Sequence, residues 1–470
     1  MDACFEKQAD EIRGIMKNFN FLVLTDTHFF KNSLGACGKE YDEFMRFEQK
    51  CFAETEAINN AVFDWLGKTE LADTILIAGD LSFNGETESH LGFIELLKKL
   101  KTGGKRIFTI TADHDFKSDD DEAFAFTEEG RYAPKAAKRD DLFDLYYEFG
   151  FKDAIAVDKK HLSYVAQLCE GIRLLALNND GDCRDFKTYD DEQIEWIKAQ
   201  TAKARQDNQM MIAMNHYPLL PGQPIFSVVP AAVQKNAGDI SSMLADEGVH
   251  LVFTGHMHNQ SINEKVTQKG SKFYDVCTGS IIASPSVMRL ITVESRKKVK
   301  IETINCPDFE WNTNGRSCTK YLDDLFDSMI LNMLDDMRSN PERMLGKFGA
   351  GDKKNLFPVV RRTGNALNKL TVGKTASLLC IKCDASIKQM LLKDYIAELV
   401  RNLFSGNQKF TEGTPKGDVL LRFLKRFNFI LKRLNIKNTE GIRVDLFDIL
   451  KNSAGNYGID DYNAELILED

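Results

Sequence analysis

Apolar residues in the first two thirds of the chain fall into short runs that stop abruptly on polar groups. Phe21-Leu22-Val23-Leu24 runs into Thr25-Asp26-Thr27-His28, and Thr74 to Ala78 ends at Gly79-Asp80. Ile107 to Ala112 ends at Asp113-His114-Asp115, Met210 to Met214 at Asn215-His216, and Leu251 to Thr254 at Gly255-His256-Met257-His258. Uninterrupted apolar runs of this length predict strands covered on both faces. Helical spacing separates them: Phe44, Phe47, Cys51, Ile58, Val62 and Trp65; then Leu91, Ile94, Leu97 and Leu100, stopped by Gly103-Gly104; then Gln193 to Arg205 and Ile240 to Leu244. Further strands are predicted at Arg173 to Asn178, Lys272 to Val276, Met288 to Val293 and Val299 to Ile304. Strands alternating with helices predict an α/β fold.

From Tyr321 onward only the helical period remains, in Leu322, Leu325, Met329 and Met333, in Leu391, Ile396, Leu399 and Val400, and in Leu420 to Leu434. This predicts two domains, residues 1–305 and an all-helical C-terminal domain over residues 306–470. The stretch Arg422 to Lys437 is basic and amphipathic. It suits a membrane or partner surface, or a packed helix with one solvated face, and the packed helix is preferred.

Length and composition agree with this. A chain of 470 residues exceeds one ordinary core. The net charge is -9, with about +3 on residues 306–470 and -12 on residues 1–305. An acidic first portion argues against a nucleic-acid track, which needs a basic stripe. No apolar run reaches the ~18 residues of a membrane helix, and Met1 to Asn20 has no apolar leader segment. Ten cysteines in such a chain read as reduced thiols, and Cys380-Ile381-Lys382-Cys383, without a second pair, as two ordinary ones. The expectation is a cytoplasmic protein.

The run-ending groups carry the chemistry. Five of the eight histidines lie in the five stretches, whereas His90, His161 and His250 are expected to be surface or internally satisfied residues. Asp26, His28, Asp80, Asp113, His216, His256 and His258 offer oxygen and nitrogen ligands without thiolate. Seven such groups exceed the needs of one cation and suit two, about 3.5–4 Å apart, able to clamp a phosphoryl oxygen. Mn, Fe, Zn, Ni and Co all fit that donor set. Asp80 is the candidate for a carboxylate shared between the ions. Any single Asp at a strand end is often a helix cap, but capping does not explain the clustering of histidines.

Taken in order, Asp26-Thr27-His28, Gly79-Asp80, Ala112-Asp113-His114-Asp115, His216 and Gly255-His256-Met257-His258 resemble the calcineurin-like metallophosphoesterase superfamily over roughly residues 20 to 300. The resemblance implies a two-sheet α/β sandwich flanked by helices, and hydrolysis of phosphate mono- or diesters of a small substrate at a dinuclear centre. It implies one ion held by Asp26, His28, Asp80 and His258, and another by Asp80, Asp113, His216 and His256. His114 would be a non-ligand acting on the reacting phosphoryl group, oriented by Asp115. The sequence departs from the family pattern at Asp113, usually Asn, and Ala112, usually Gly; the extra charge should tighten the second ion and reduce its Lewis acidity. Asn84-Gly85-Glu86 is similar to small-molecule phosphodiesterase branches, including those acting on cyclic nucleotides. Rival readings are a metal-bound scaffold without catalysis, which the presence of His114 disfavours, and a nuclease, which the charge disfavours.

Overall fold

The computed structural model describes residues 18–179, 189–347, 350–434, 436–439, 441–455 and 458–468. The stretch read for a leader segment, Met1 to Asn20, lies almost entirely outside them. Two mixed sheets face each other. The first runs β15 (Asn463–Ile467), β14 (Lys298–Asn305), β13 (Val287–Ser295), β1 (Phe19–Leu24), β2 (Thr74–Ala78) and β3 (Arg106–Ile110). The second runs β11 (Ser261–Val266), β12 (Lys272–Cys277), β10 (Leu251–Thr254), β9 (Met210–Met214), β8 (Ile172–Ala176), β7 (Ser163–Cys169) and β6 (Ala154–Asp158). A small ribbon, β4 (Ala125–Thr127) with β5 (Gly130–Tyr132), stands apart.

Strands β1, β2 and β3 are mutually parallel, as are β8, β9, β10 and β12. Each parallel strand needs a crossover, and helices supply the outer layers. Ile58, Val62, Phe93 and Leu97, from Thr55–Lys68 and Thr87–Thr102, pack on the first sheet; Ile197, Ala204, Ile240 and Leu244, from Asp191–Gln206 and Ala237–Asp246, pack on the second. Between the sheets Phe21 meets Phe253 edge-on at 5.5 Å. Phe21 through Leu24 are wholly buried, because sheet and helices cover both faces. The fold is the helix-flanked two-sheet sandwich that the motifs imply.

Two local differences matter. The helical spacing from Phe44 to Trp65 is not one helix: Lys39–Met45 and Thr55–Lys68 are separated by an irregular segment, 46–54. Phe47 and Phe52 draw it in opposite directions. Phe52 joins the aromatic cluster of Phe30 and Phe83, at centroid distances of 4.2 and 4.4 Å, while Phe47 lies under the guanidinium groups of Arg46 and Arg343. Tertiary packing overrides the local period there. The C-terminal region is helical as expected, with Cys318–Ser339, Phe357–Lys369, Leu392–Ser405 and Pro415–Leu431 as its longest pieces, but its last segment is β15, paired antiparallel with β14. Arg289, wholly buried, fastens this return by donating to the Asp461, Cys277 and Ser261 carbonyls. Among the described residues no helix is long and apolar enough to cross a membrane.

Candidate metal centre

All five motif stretches end at the C-terminal edges of parallel strands, where open α/β sheets gather their ligands. Asp26 and His28 follow β1, Asp80 follows β2, Asp113 to Asp115 form a helical turn after β3, His216 follows β9, and His256 and His258 follow β10. The structure brings the seven candidate ligands together as three overlapping groups: Asp26, His28 and His258; Asp113, His216 and His256; and Asp26, Asp80 and His216. Within each, one donor atom per residue lies within 4.8 Å of the others.

The backbone is bent to achieve this. Asp26, His28, Asp80, His256 and His258 all have positive φ, between 38° and 69°. Each costs about 1–2 kcal/mol for an L-residue. Hydrogen bonds hold the bends: Asp26 N–H donates to the Gly79 carbonyl at 3.1 Å, His28 N–H to the Asp80 carbonyl at 2.9 Å, Ser280 Oγ to the Asp26 carbonyl at 2.7 Å, and Asn59 Nδ2 to the Thr27 carbonyl at 3.0 Å.

Asp26 and Asp80 each spend one oxygen on the scaffold and turn the other inward. Asp26 Oδ2 accepts from Thr25 Oγ1 at 2.8 Å and His256 N–H at 3.0 Å; its Oδ1 faces Nε2 of His258, His28 and His216 at 3.2, 3.7 and 3.9 Å. Asp80 Oδ1 accepts from His114 N–H at 3.2 Å, and its Oδ2 faces His216 Nε2 at 3.1 Å and His28 Nε2 at 3.5 Å. Two of the histidines, His216 and His256, follow the same rule. His216 Nδ1–H donates to the Ala78 carbonyl at 2.8 Å, leaving Nε2 as the inward lone pair, and His256 Nε2–H donates to the Ala231 carbonyl at 2.9 Å, leaving Nδ1. Such bonds fix the tautomer of a ligating imidazole.

Buried polar atoms without a hydrogen-bond partner concentrate here: Asp26 Oδ1, His28 Nδ1, Asp113 Oδ1, His216 Nε2 and His258 Nδ1. Orphaned buried groups cost about 1–3 kcal/mol each; of these, Asp26 Oδ1 and His216 Nε2 face the convergent ligand atoms, an arrangement that fits cations.

Electrostatics reflect the same crowding. Burial alone raises a carboxyl pKa, but His258 and His216 outweigh it and hold Asp26 well below the usual carboxylate range. Burial lowers the His216 imidazole, yet Asp80 and Asp26 outweigh it and push it up to about 10. His28 goes the other way, held low by burial and by the nearby Lys50 ammonium, although it faces the same carboxylates. The difference is position: His216 sits closer to Asp80, and the Lys50 charge acts on His28.

His114 is only partly buried, and its Nδ1–H donates to the Phe83 carbonyl at 2.9 Å. Its ring meets His28 edge-on at a centroid distance of 4.8 Å. Asp115 does not do what the resemblance implied. Its carboxylate accepts from Ser82 N–H at 2.7 Å, Ser82 Oγ at 3.1 Å and Ala112 N–H at 2.9 Å, and does not touch the His114 ring. The Phe83 carbonyl orients His114 instead, and Asp115 builds the loop that carries Phe83. Burial, then the Asp80 charge, raises the Asp115 carboxyl to about 7.

The three unassigned histidines lie elsewhere. His90 is buried and satisfied, bonded to Tyr146 Oη at 2.7 Å and the Asp115 carbonyl at 2.8 Å; His161 pairs with Asp158 at 2.6 Å; His250 Nδ1 bonds the Lys272 carbonyl at 2.7 Å. Ser280, Phe83 and Ala231 were not legible as site residues. The last two act through backbone carbonyls, which no side-chain pattern records.

No curated protein sequence matches the chain. Among solved structures it is similar to a dimetal phosphatase from Danio rerio, at 11% identity over 61% of this chain and 95% of that one, TM-score 0.43. It is similar to a purple acid phosphatase from yellow lupin at 13% identity over 62% of this chain and 52% of that one, TM-score 0.42. A 5'-nucleotidase precursor from Thermus thermophilus matches at 12% identity over 62% and 55%, TM-score 0.34. The family model for calcineurin-like phosphoesterases matches residues 19–260, just over half of the sequence, and the chain belongs to that family.

Proposed function

We propose that the protein hydrolyses small phosphate mono- or diesters with two divalent cations, one held by Asp26, His28, Asp80 and His258 and the other by Asp80, Asp113, His216 and His256. The observation that carries this reading is the convergence of seven oxygen and nitrogen donors in three overlapping groups, with Asp26 Oδ1 and His216 Nε2 buried and unpartnered among them. Asp80 Oδ2 lies between His28 of one group and His216 of the other, as a shared carboxylate must. Bound there, the cations supply Lewis acidity toward a phosphoryl oxygen and a water nucleophile at neutral pH.

The chain's own residues do the remainder. Carbonyls of Ala78 and Ala231 keep His216 and His256 in the ligating tautomer. Phe83 holds the His114 Nδ1 proton, so Nε2 is the nitrogen available to hydrogen-bond the phosphoryl group or to deliver a proton to the leaving oxygen. The eight described cysteines are free thiols, which suits a reducing, cytoplasmic setting.

The test is a panel of aryl phosphate mono- and diesters with added Mn, alongside metal analysis. Turnover with two ions per chain is expected, with His114→Ala losing about 10²–10⁴ in kcat while retaining both ions. No turnover with both positions filled assigns a metal-bound scaffold instead. Full turnover in the metal-loaded His114→Ala variant refutes the role given to that ring.

A further inference from the structure

Three lysine or arginine residues are buried among the described residues: Lys50, Lys105 and Arg289. Two are fully engaged. Lys105 Nζ donates to the Thr69 and Ala72 carbonyls and to Asp73 at 2.7, 2.9 and 3.1 Å, and Arg289 holds three carbonyls and Thr278 Oγ1. Lys50 is different. The residue is 7% exposed, yet among the described residues its ammonium has no carboxylate within 4.0 Å and no hydrogen-bond acceptor. It lies over the face of Phe83, 4.7 Å from the ring centroid. Its Nζ is not among the fully buried atoms left without a partner, so the packed stem carries an unpaired ammonium to a point that solvent reaches.

The position of this ammonium explains it. Phe83 is the residue whose carbonyl orients His114, and its ring lies 6.0 Å from that of His28. Lys50 therefore stands on the His114 wall of the candidate centre.

Its placement is enforced from both flanks. Cys51 N–H donates to the Ile282 carbonyl at 3.2 Å, and Lys50 N–H to Glu48 Oε1 at 3.2 Å. The C-terminal helices brace the segment. Tyr321 Oη donates to Glu54 Oε1 at 2.6 Å, Asn332 Nδ2 to the Arg46 carbonyl at 3.1 Å, and the Arg343 and Lys347 cations lie 4.9 and 4.2 Å from the Phe47 ring centroid.

We propose that the Lys50 ammonium is a substrate-binding group that pairs with an anionic non-bridging oxygen of the phosphoryl group, favouring dianionic phosphomonoesters over monoanionic diesters. This rests on the reading of the site as a phosphoesterase centre. An ammonium acts on phosphate as a point charge, so its gain grows with the charge of the ester.

The experiment compares wild type, Lys50→Met and Lys50→Arg, full-length and Mn-loaded, by two readouts. The first is calorimetric titration with inorganic phosphate, which needs no turnover. The second is KM and kcat for p-nitrophenyl phosphate and bis-p-nitrophenyl phosphate. The methionine variant is expected to bind phosphate 10–100-fold more weakly. It raises KM for the monoester by a similar factor with a smaller change in kcat, and leaves KM for the diester nearly unchanged. The arginine variant restores most of both. Because the ammonium has no carboxylate partner to lose and methionine keeps the apolar stem, the Tm of the methionine variant should stay near that of wild type. Unchanged phosphate affinity, or a Tm well below wild type, overturns the proposal and makes Lys50 structural. A wild type that hydrolyses no ester yet loses phosphate binding in Lys50→Met would sink the enzymatic reading while leaving the anion contact standing.

Discussion

Gly79 and Gly104 offer a matched pair for testing how the centre is held. Both have φ of +92°, but their surroundings are opposite. A Cβ at Gly104 would meet nothing within 4 Å, whereas a Cβ at Gly79 would lie 2.6 Å from His216 Nδ1 and 2.9 Å from its Cγ. Gly104→Ala therefore measures the left-handed backbone alone, roughly 1–2 kcal/mol, less a few tenths regained from the stiffer unfolded chain. Gly79→Ala adds two effects. The imidazole must shift, about 1–3 kcal/mol for overpacking, and its Nδ1–H bond to the Ala78 carbonyl is lost, about 1 kcal/mol. The expected totals are about 3–6 kcal/mol for Gly79 and about 1–2 for Gly104. Denaturant unfolding of the two metal-free variants reads the difference directly. Manganese titration gives a second measure: displacing His216 Nε2 from Asp80 should weaken retention about 10–100-fold in Gly79→Ala and not at all in Gly104→Ala. Equal destabilisation of the two variants, with equal metal affinity, would refute the argument that Gly79 exists to let His216 approach.

Other outcomes follow from single residues. Asp113→Asn removes a charge at the second cation position, so metal analysis after dialysis should show weaker retention of one ion, and turnover per fully loaded chain should rise. Glu86 is buried with Oε1 unpartnered, and burial raises its carboxyl from 4.5 to about 7. A raised acid pKa favours the protonated folded state, so its contribution is fully present below pH 4.5 and is lost as pH rises through 7. Glu86→Gln should accordingly raise stability at pH 8 by up to about 3 kcal/mol and give no gain at pH 4.5, read by urea unfolding at the two pH values.

Much of this centre could be read in the chain because each ligand follows a strand that announces itself. Runs such as Leu22-Val23-Leu24 have both faces covered and so show no alternation, and the histidines stand at their ends. Edge strands are less legible. β6 is half exposed, and β11 alternates only from Asn263 onward, so their existence depends on a neighbour rather than on their own pattern. The break at residues 46–54 contains no Gly or Pro to mark it; it is imposed by aromatic packing on one side and the C-terminal helices on the other. The orienting role of Asp115 is implied by the family resemblance alone, whereas the helical turn points Asp115 to Ser82 and Ala112 and His114 to Phe83.

The pairing of β15 with β14 gives the helical region an unusual mechanical status. The chain leaves the sheet edge at Asn305 and rejoins it antiparallel, with Asn463 opposite Glu302. In topological terms the helices are the swollen tip of a β-hairpin, stitched to the sheet on both sides. A body tied by two neighbouring strands cannot swing on a single hinge. Tilting it must break the contacts of Tyr321, Asn332 and Arg343 with the 46–54 segment as well as those of Phe404 with Gln260 and Ser453 with Ile225, so an opening of the helices tugs on the same wall that carries Lys50.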